Sequence, residues 1–178
     1  MKNLLFLFLS IAFVGCTSIN SEEKQLITAD KQLAIDLAMY HKVWSSYLAG
    51  DTSVMSEKYF TQDVVVVTAE GDLVGLDACN EYYSNYLTGF SEIKWTIIDA
   101  FGQGDKLVKH WNFKGKHTGM FFGVVPTGNY LDLSGTTIVT LVEGKIAKEH
   151  DFFDMKSMMD QLTKSDGELI IDEYQPIN

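Results

Sequence analysis

The chain has no arginine: all fourteen of its basic residues are lysines. The planar, bidentate grip that a guanidinium gives phosphate or carboxylate is therefore unavailable anywhere in it. Those fourteen lysines face twenty-four acidic residues, for a formal net charge of −10. That balance argues against a nucleic-acid partner, because phosphate backbones call for basic patches. Cysteine is nearly as scarce, with Cys16 and Cys79 the two examples. No CxxC or HExxH occurs, so no metal is expected. Long apolar runs are missing too, and nothing reaches the roughly 20 residues that a membrane-spanning helix needs.

What is present begins at the N-terminus. Lys2 precedes an apolar run from Leu4 to Val14 that is broken by Ser10, the length of a signal-peptide hydrophobic region. The run ends in Phe13-Val14-Gly15-Cys16, which resembles a lipobox, where a signal peptidase cuts ahead of a cysteine that receives lipid. Residues 1–15 are thus expected to be a lipoprotein signal peptide, with lipidation at Cys16. Residues 16–29, rich in polar side chains, suit a tether. The protein is expected to be exported and membrane-anchored through Cys16, on the periplasmic or cell-surface side. With Cys16 committed to lipid, Cys79 has no intrachain disulfide partner. The remainder is the length of one domain, residues 30–163, followed by an acidic tail over 164–178.

Within that domain, Leu33, Leu37, Tyr40, Trp44, Tyr47 and Leu48 step by three or four and predict an amphipathic helix. Gly50 stands where a C-cap glycine belongs. A short helix is expected over Ser53–Tyr59. Val64 to Val67 is a brief β-branched run, read as a buried strand. The turn signal Glu70-Gly71-Asp72 joins Asp63–Ala69 to Leu73–Val74 as a hairpin. Leu76, Cys79, Tyr83, Tyr86, Leu87 and Phe90 resume helical spacing. From Lys94 the period becomes two, predicting strands at Lys94–Phe101, Lys106–Gly115, Asp132–Val142 and Lys145–Phe153. Gly102-Gln-Gly104 and Glu143-Gly144 supply tight turns, and residues 116–131 a longer loop. Met155–Leu162 reads as a closing helix with Asp154 as its N-cap.

Helices followed by a run of antiparallel strands predict an α+β fold, with the N-terminal helices laid on one face of a strongly curved antiparallel sheet. A conical pocket between the layers would suit a small molecule.

Gly115-Lys-His117-Thr118-Gly119-Met-Phe-Phe-Gly123-Val-Val-Pro126-Thr127-Gly128 is similar to a glycine, histidine and Pro-Thr-Gly segment of the SnoaL-like polyketide cyclases. Gly144-Lys145-Ile146, Phe153-Asp154 and Gln161-Leu162 resemble that family's closing motifs at matching spacing. Together with the first helix and Gly75, the likeness covers about residues 33–163. It implies the cone-shaped fold of the nuclear-transport-factor-2-like superfamily and cofactor-free acid/base chemistry on a small hydrophobic carbonyl compound. It places the family's proton-moving aspartate on Asp154. It also implies a homodimer paired through the sheets. His110 stands where many relatives carry arginine and His150 where they often carry tryptophan, so a different pocket polarity is expected.

Each candidate residue has two readings. Asp154 is either a base with its pKa raised by an apolar cone or simply a helix cap. His117 and His110 are the candidate catalytic partners of Asp154. His110 shares a strand face with Asn112 and Lys114, opposite Trp111 and Phe113, and the sequence leaves open which face lines the pocket. His150 lies about 13 Å from Asp154 at the ~3.3 Å rise of a strand, too far for a dyad, and is placed in the pocket lining or the core. Tyr40, Trp44 and Tyr47 are core residues that could also line a ligand site. Phe121 and Phe122, in a loop, are expected over the pocket mouth. Three functions compete: a cofactor-free cyclase or isomerase, a non-catalytic binding protein for a hydrophobic ligand, and a structural module. A polar pair converging on Asp154 favours the first, and a wholly apolar pocket the second.

Overall fold

The computed structural model describes residues 21–69 and 71–164. The expected signal peptide, Cys16 and all but the first residue of the acidic tail lie outside the described residues. The elements are α1 (Ser21–Leu48), β1 (Phe60–Thr68), β2 (Gly71–Val74), α2 (Leu76–Gly89), β3 (Phe90–Gln103), β4 (Lys106–His117), β5 (Tyr130–Val142), β6 (Lys145–Phe153) and α3 (Met155–Thr163).

The apolar stripe of α1 buries Tyr40, Val43, Trp44 and Tyr47. The helix starts well before that stripe, so residues 21–29, expected as part of a tether, are helical, and their side chains are exposed. Glu22 and Glu23 favour this start by sitting at the positive end of the helix dipole. The helix stops where Gly50 takes φ 99°, its N–H bonding to the carbonyl of Tyr47 at 2.9 Å. The short helix expected over Ser53–Tyr59 reduces to a single 3-10 turn, Thr52–Val54, capped by Asp51. There Val54 and Met55 are both buried, and the chain turns to feed Phe60 into β1.

The six strands form one open sheet in the order β2-β1-β6-β5-β4-β3. It is mixed rather than wholly antiparallel: β1 runs parallel to β6, with Val65 opposite Lys148 and Val67 opposite His150. A parallel pair needs a long crossover, which the chain between β1 and β6 provides. The expected hairpin is present, with Thr68 opposite Gly71. At the β5–β6 turn Glu143 and Gly144 both take positive φ, 50° and 73°, as a type I′ turn demands. Register shifts within β3–β4, β5–β6 and β1–β6 mark bulges, the usual source of strong sheet curvature. Strands β4 and β5 run further than expected, so the intervening loop shortens to 118–129, closed by His117 N–H to the Asn129 carbonyl at 2.8 Å.

Burial alternates along β4 and β5. Leu107, Trp111 and Phe113 point with Leu131, Leu133, Val139 and Leu141 into the core. The helices α1 and α2 cover that face.

Candidate functional site

Two strands carry charge on the face that should be apolar. On β4 the inward alternation Leu107–Trp111–Phe113 takes Lys109 with it, and Lys109 is 4% exposed. On β6, Ile146 is buried, so strict period two would turn Lys148 and His150 inward as well. A register shift intervenes: Leu141 pairs with Ile146 but Thr140 with Lys148, leaving Ala147 as the extra residue. The bulge reverses the parity. Glu149 becomes fully buried, Asp151 and Phe153 follow it inward, and Lys148 is exposed.

Glu149 is met by α1. The phenol of Tyr40 donates to its Oε1, and Trp44 Nε1–H donates to the same oxygen at 3.1 Å. Oε2 has no hydrogen-bond partner, nor has the buried Nε1 of Trp95. Burial pushes the Glu149 carboxyl up to about 7, opposed by the charge of Lys109. The ammonium of Lys109 lies over three rings, 4.7 Å from the centroid of Tyr40, 5.1 Å from Trp44 and 4.9 Å from Trp95. The ion pairs among the described residues are all at the surface, so Lys109 has no carboxylate within 4.0 Å. Burial lowers its pKa, while the charges of Glu149 and Asp151 act in the opposite sense.

Asp151 is fixed from two sides. Tyr83 donates its hydroxyl hydrogen to Oδ2 at 2.9 Å, and Thr137 donates to Oδ1. Thr137 in turn accepts from Trp111 Nε1–H at 2.9 Å. Burial, and after it the charge of Asp151, raises the Tyr83 phenol well above its ordinary pKa, so it stays a donor. Between α1, α2 and the sheet, the rings of Trp44, Tyr83, Tyr86, Trp95 and Trp111 wall a pocket into which Lys109 and Asp151 bring charge. Its interior is about 40 Å³, and about 380 Å³ with its open mouth. The interior is room for a few waters. Asp151 also reaches a second hollow of about 280 Å³ with Tyr82, His150, Phe152 and Met155, beyond the end of β1.

The residues singled out from sequence scatter across the domain. Tyr40 and Trp44 belong to the site. Tyr47 is core, its hydroxyl bonded to Asn80 Oδ1 at 3.0 Å. Asp154 is exposed and its Oδ1 accepts from Ser157 N–H at 2.9 Å as the N-cap of α3, and it is not among the pocket's walls. His110 is exposed on the sheet's other face, which settles the strand-face question left open by the sequence. His117 is fully buried against Phe90 and Phe121, with Nδ1 3.0 Å from Thr127 Oγ1, so it secures the 118–129 loop. Burial lowers its pKa. His150 stacks on Phe152 at 4.0 Å in the second hollow. Phe121, expected over the pocket mouth, is wholly buried between Tyr86 and Phe90. Phe122 is half-exposed and lies against Tyr82 at 5.1 Å. Sequence reasoning missed Lys109, Glu149, Asp151 and Tyr83 as a group. For Lys109 the signal was there, because it shares a parity with Trp111 and Phe113. Among the described residues no cluster of His, Cys, Asp and Glu is arranged to hold a metal ion.

This arrangement, helices closing a curved sheet over a lined pocket, defines the NTF2-like class of α+β cones. Residues 37–162 match the SnoaL-like polyketide cyclase family, and the chain belongs to that family. Its structure is similar to that of a protein named as a SnoaL-like polyketide cyclase from Jannaschia sp. CCS1, at 19% identity and TM-score 0.68, covering 73% of this chain and 92% of that one. AclR from Streptomyces galilaeus, named as a hydroxylase, matches at 19% identity and TM-score 0.65, covering 76% and 85%. An NTF2-like protein from Burkholderia pseudomallei K96243 matches at 13% identity and TM-score 0.60, covering 72% and 97%. No curated protein matches the sequence. At these identities the likenesses establish the fold, and the activity has to be argued from the site.

Proposed function

We propose that this SnoaL-like domain binds a small apolar carbonyl compound in the aromatic pocket and moves a proton on it without a cofactor. The observation that carries the reading is Asp151. It is a carboxyl group on the wall of a mainly aromatic cavity, held in one orientation by Tyr83 and Thr137 and facing the same space as Lys109. A base for removing a proton next to a carbonyl has to be fixed within hydrogen-bond reach of the substrate, in a site that sheds water. Asp151 meets both needs better than Asp154, whose cap bond and exposure commit it to α3. The wider function is that of an exported lipoprotein tethered through Cys16, which presents this pocket at a membrane surface.

Proton abstraction can be read without the natural substrate. In heavy water, the chain should accelerate exchange of the α-protons of cyclopentanone, followed by NMR. Asp151→Asn should slow that exchange by about 100-fold or more, the usual worth of a positioned base, while retaining the ketone. A wild-type protein that binds cyclopentanone but exchanges no protons would instead be a carrier, the alternative function for this cone.

A further inference from the structure

Asp151 alone leaves Lys109 without a stated role, yet it is the one buried lysine among those described. A lysine this deep is ordinarily matched by a carboxylate in direct contact. Lys109 instead has three ring faces around its nitrogen and an opening onto the pocket. We propose that Lys109 is a Schiff-base lysine, whose Nζ adds to the carbonyl carbon of the substrate held in the aromatic pocket. The proposal rests on the carbonyl-binding reading above and gives that chemistry a covalent form.

The geometry supplies what such an amine needs. The rings of Tyr40, Trp44 and Trp95 surround the nitrogen at the pocket wall. Burial disfavours the ammonium more than the charges of Glu149 and Asp151 favour it, which raises the share of free amine. Nζ first releases one proton to water at the pocket mouth. Its lone pair then forms the C–N bond while the carbonyl π pair moves to oxygen, which takes up a proton. The nitrogen loses its second proton, and the hydroxyl leaves as water after a further protonation, giving a protonated imine. Asp151 on the same wall can then take the α-proton, the electron pair moving into a C–C double bond to leave an enamine. Reprotonation and hydrolysis return the carbonyl compound and the free lysine, with no oxidant or reductant consumed. The imine is a stronger electron sink than the ketone, so it makes the α-proton easier for Asp151 to remove.

Reductive trapping tests this on the full chain in detergent. Cyclopentanone and sodium cyanoborohydride are added at pH 7, the alkylated lysines are mapped by peptide mass spectrometry, and tryptophan fluorescence reports binding in parallel. The exposed Lys106 and Lys114 of the same strand are internal references. Lys109 should be alkylated about tenfold or more over them, because the pocket holds the carbonyl beside its nitrogen while the two references meet it only from solution. Lys109→Arg removes the nucleophile and should leave no label in that peptide, with Lys106 and Lys114 labelled as before. Labelling of Lys109 no greater than that of Lys106 and Lys114, with the fluorescence response intact, overturns the imine and leaves the carbonyl pocket standing. Loss of both label and fluorescence response overturns the two together.

Discussion

The phenol of Tyr40 donates its hydrogen to Oε1 of Glu149, joining the first helix to the last strand through a fully buried carboxyl group. The burial of that carboxyl decides how the domain should respond to pH. Burial holds Glu149 at about 7 in the fold, against an ordinary 4.5. A carboxyl whose folded pKa is raised costs the fold nothing below the unfolded value, and the penalty grows until the folded value is passed. Glu149→Gln can still accept from Tyr40 and Trp44 but has no such titration. Its stability relative to wild type should therefore rise between pH 4.5 and 7, by roughly 3 kcal/mol at most, from 1.36 kcal/mol per pKa unit. Urea melts of both proteins at intervals across that range check this, and a flat difference would place the charge elsewhere.

Asp154 should behave as a cap and nothing more. Asp154→Asn should leave stability almost unchanged, because asparagine caps about as well, while Asp154→Ala should cost about 1 kcal/mol. Neither change should alter cyclopentanone exchange. A large loss of exchange in Asp154→Asn would return the base role to this residue.

Gly135 allows Trp111 to lie across β5 and reach Thr137. A Cβ there would come within 2.4 Å of Trp111 Cζ2 and 2.8 Å of the Phe152 carbonyl. Gly135→Ala should cost about 1–3 kcal/mol, the usual range for overpacking. Because Trp111 is also a pocket wall, ligand-induced fluorescence change should fall with it. Unaltered fluorescence and melting would mean that the indole moves aside freely.

Lipidation should depend on Cys16. Cys16→Ser should block cleavage ahead of that position and leave a longer chain without acyl groups. Intact mass and membrane fractionation in the native host give the answer. A mature wild-type chain of unmodified mass beginning elsewhere would remove the lipoprotein assignment.

Much of the fold was legible in the sequence. The stripe of α1, the β-branched run of β1 and the alternation of β4 to β6 report which side chains avoid water, and that information is local. The two positive-φ residues Glu143 and Gly144 likewise mark a turn that is local chemistry. The parallel pairing of β1 with β6 was not legible, since nothing in either strand records its neighbour's direction. The site was mostly hidden. The family motif and the helix cap coincide on Asp154, while Glu149 and Asp151 alternate with Lys148 and His150 on a strand whose composition marks neither face as buried.

The sequence by itself determined the α+β class, the turns and the absence of any guanidinium chemistry through composition and periodicity, and the family through its motifs, because all of these are properties of single segments. Only the tertiary structure decided which charges are buried. One extra residue at Ala147, set by how β6 pairs with β5, turns Glu149 and Asp151 toward Lys109 and the helix rings. Their chemistry follows from that pairing, because a carboxyl or an amine acquires an unusual pKa only when other segments take away its water.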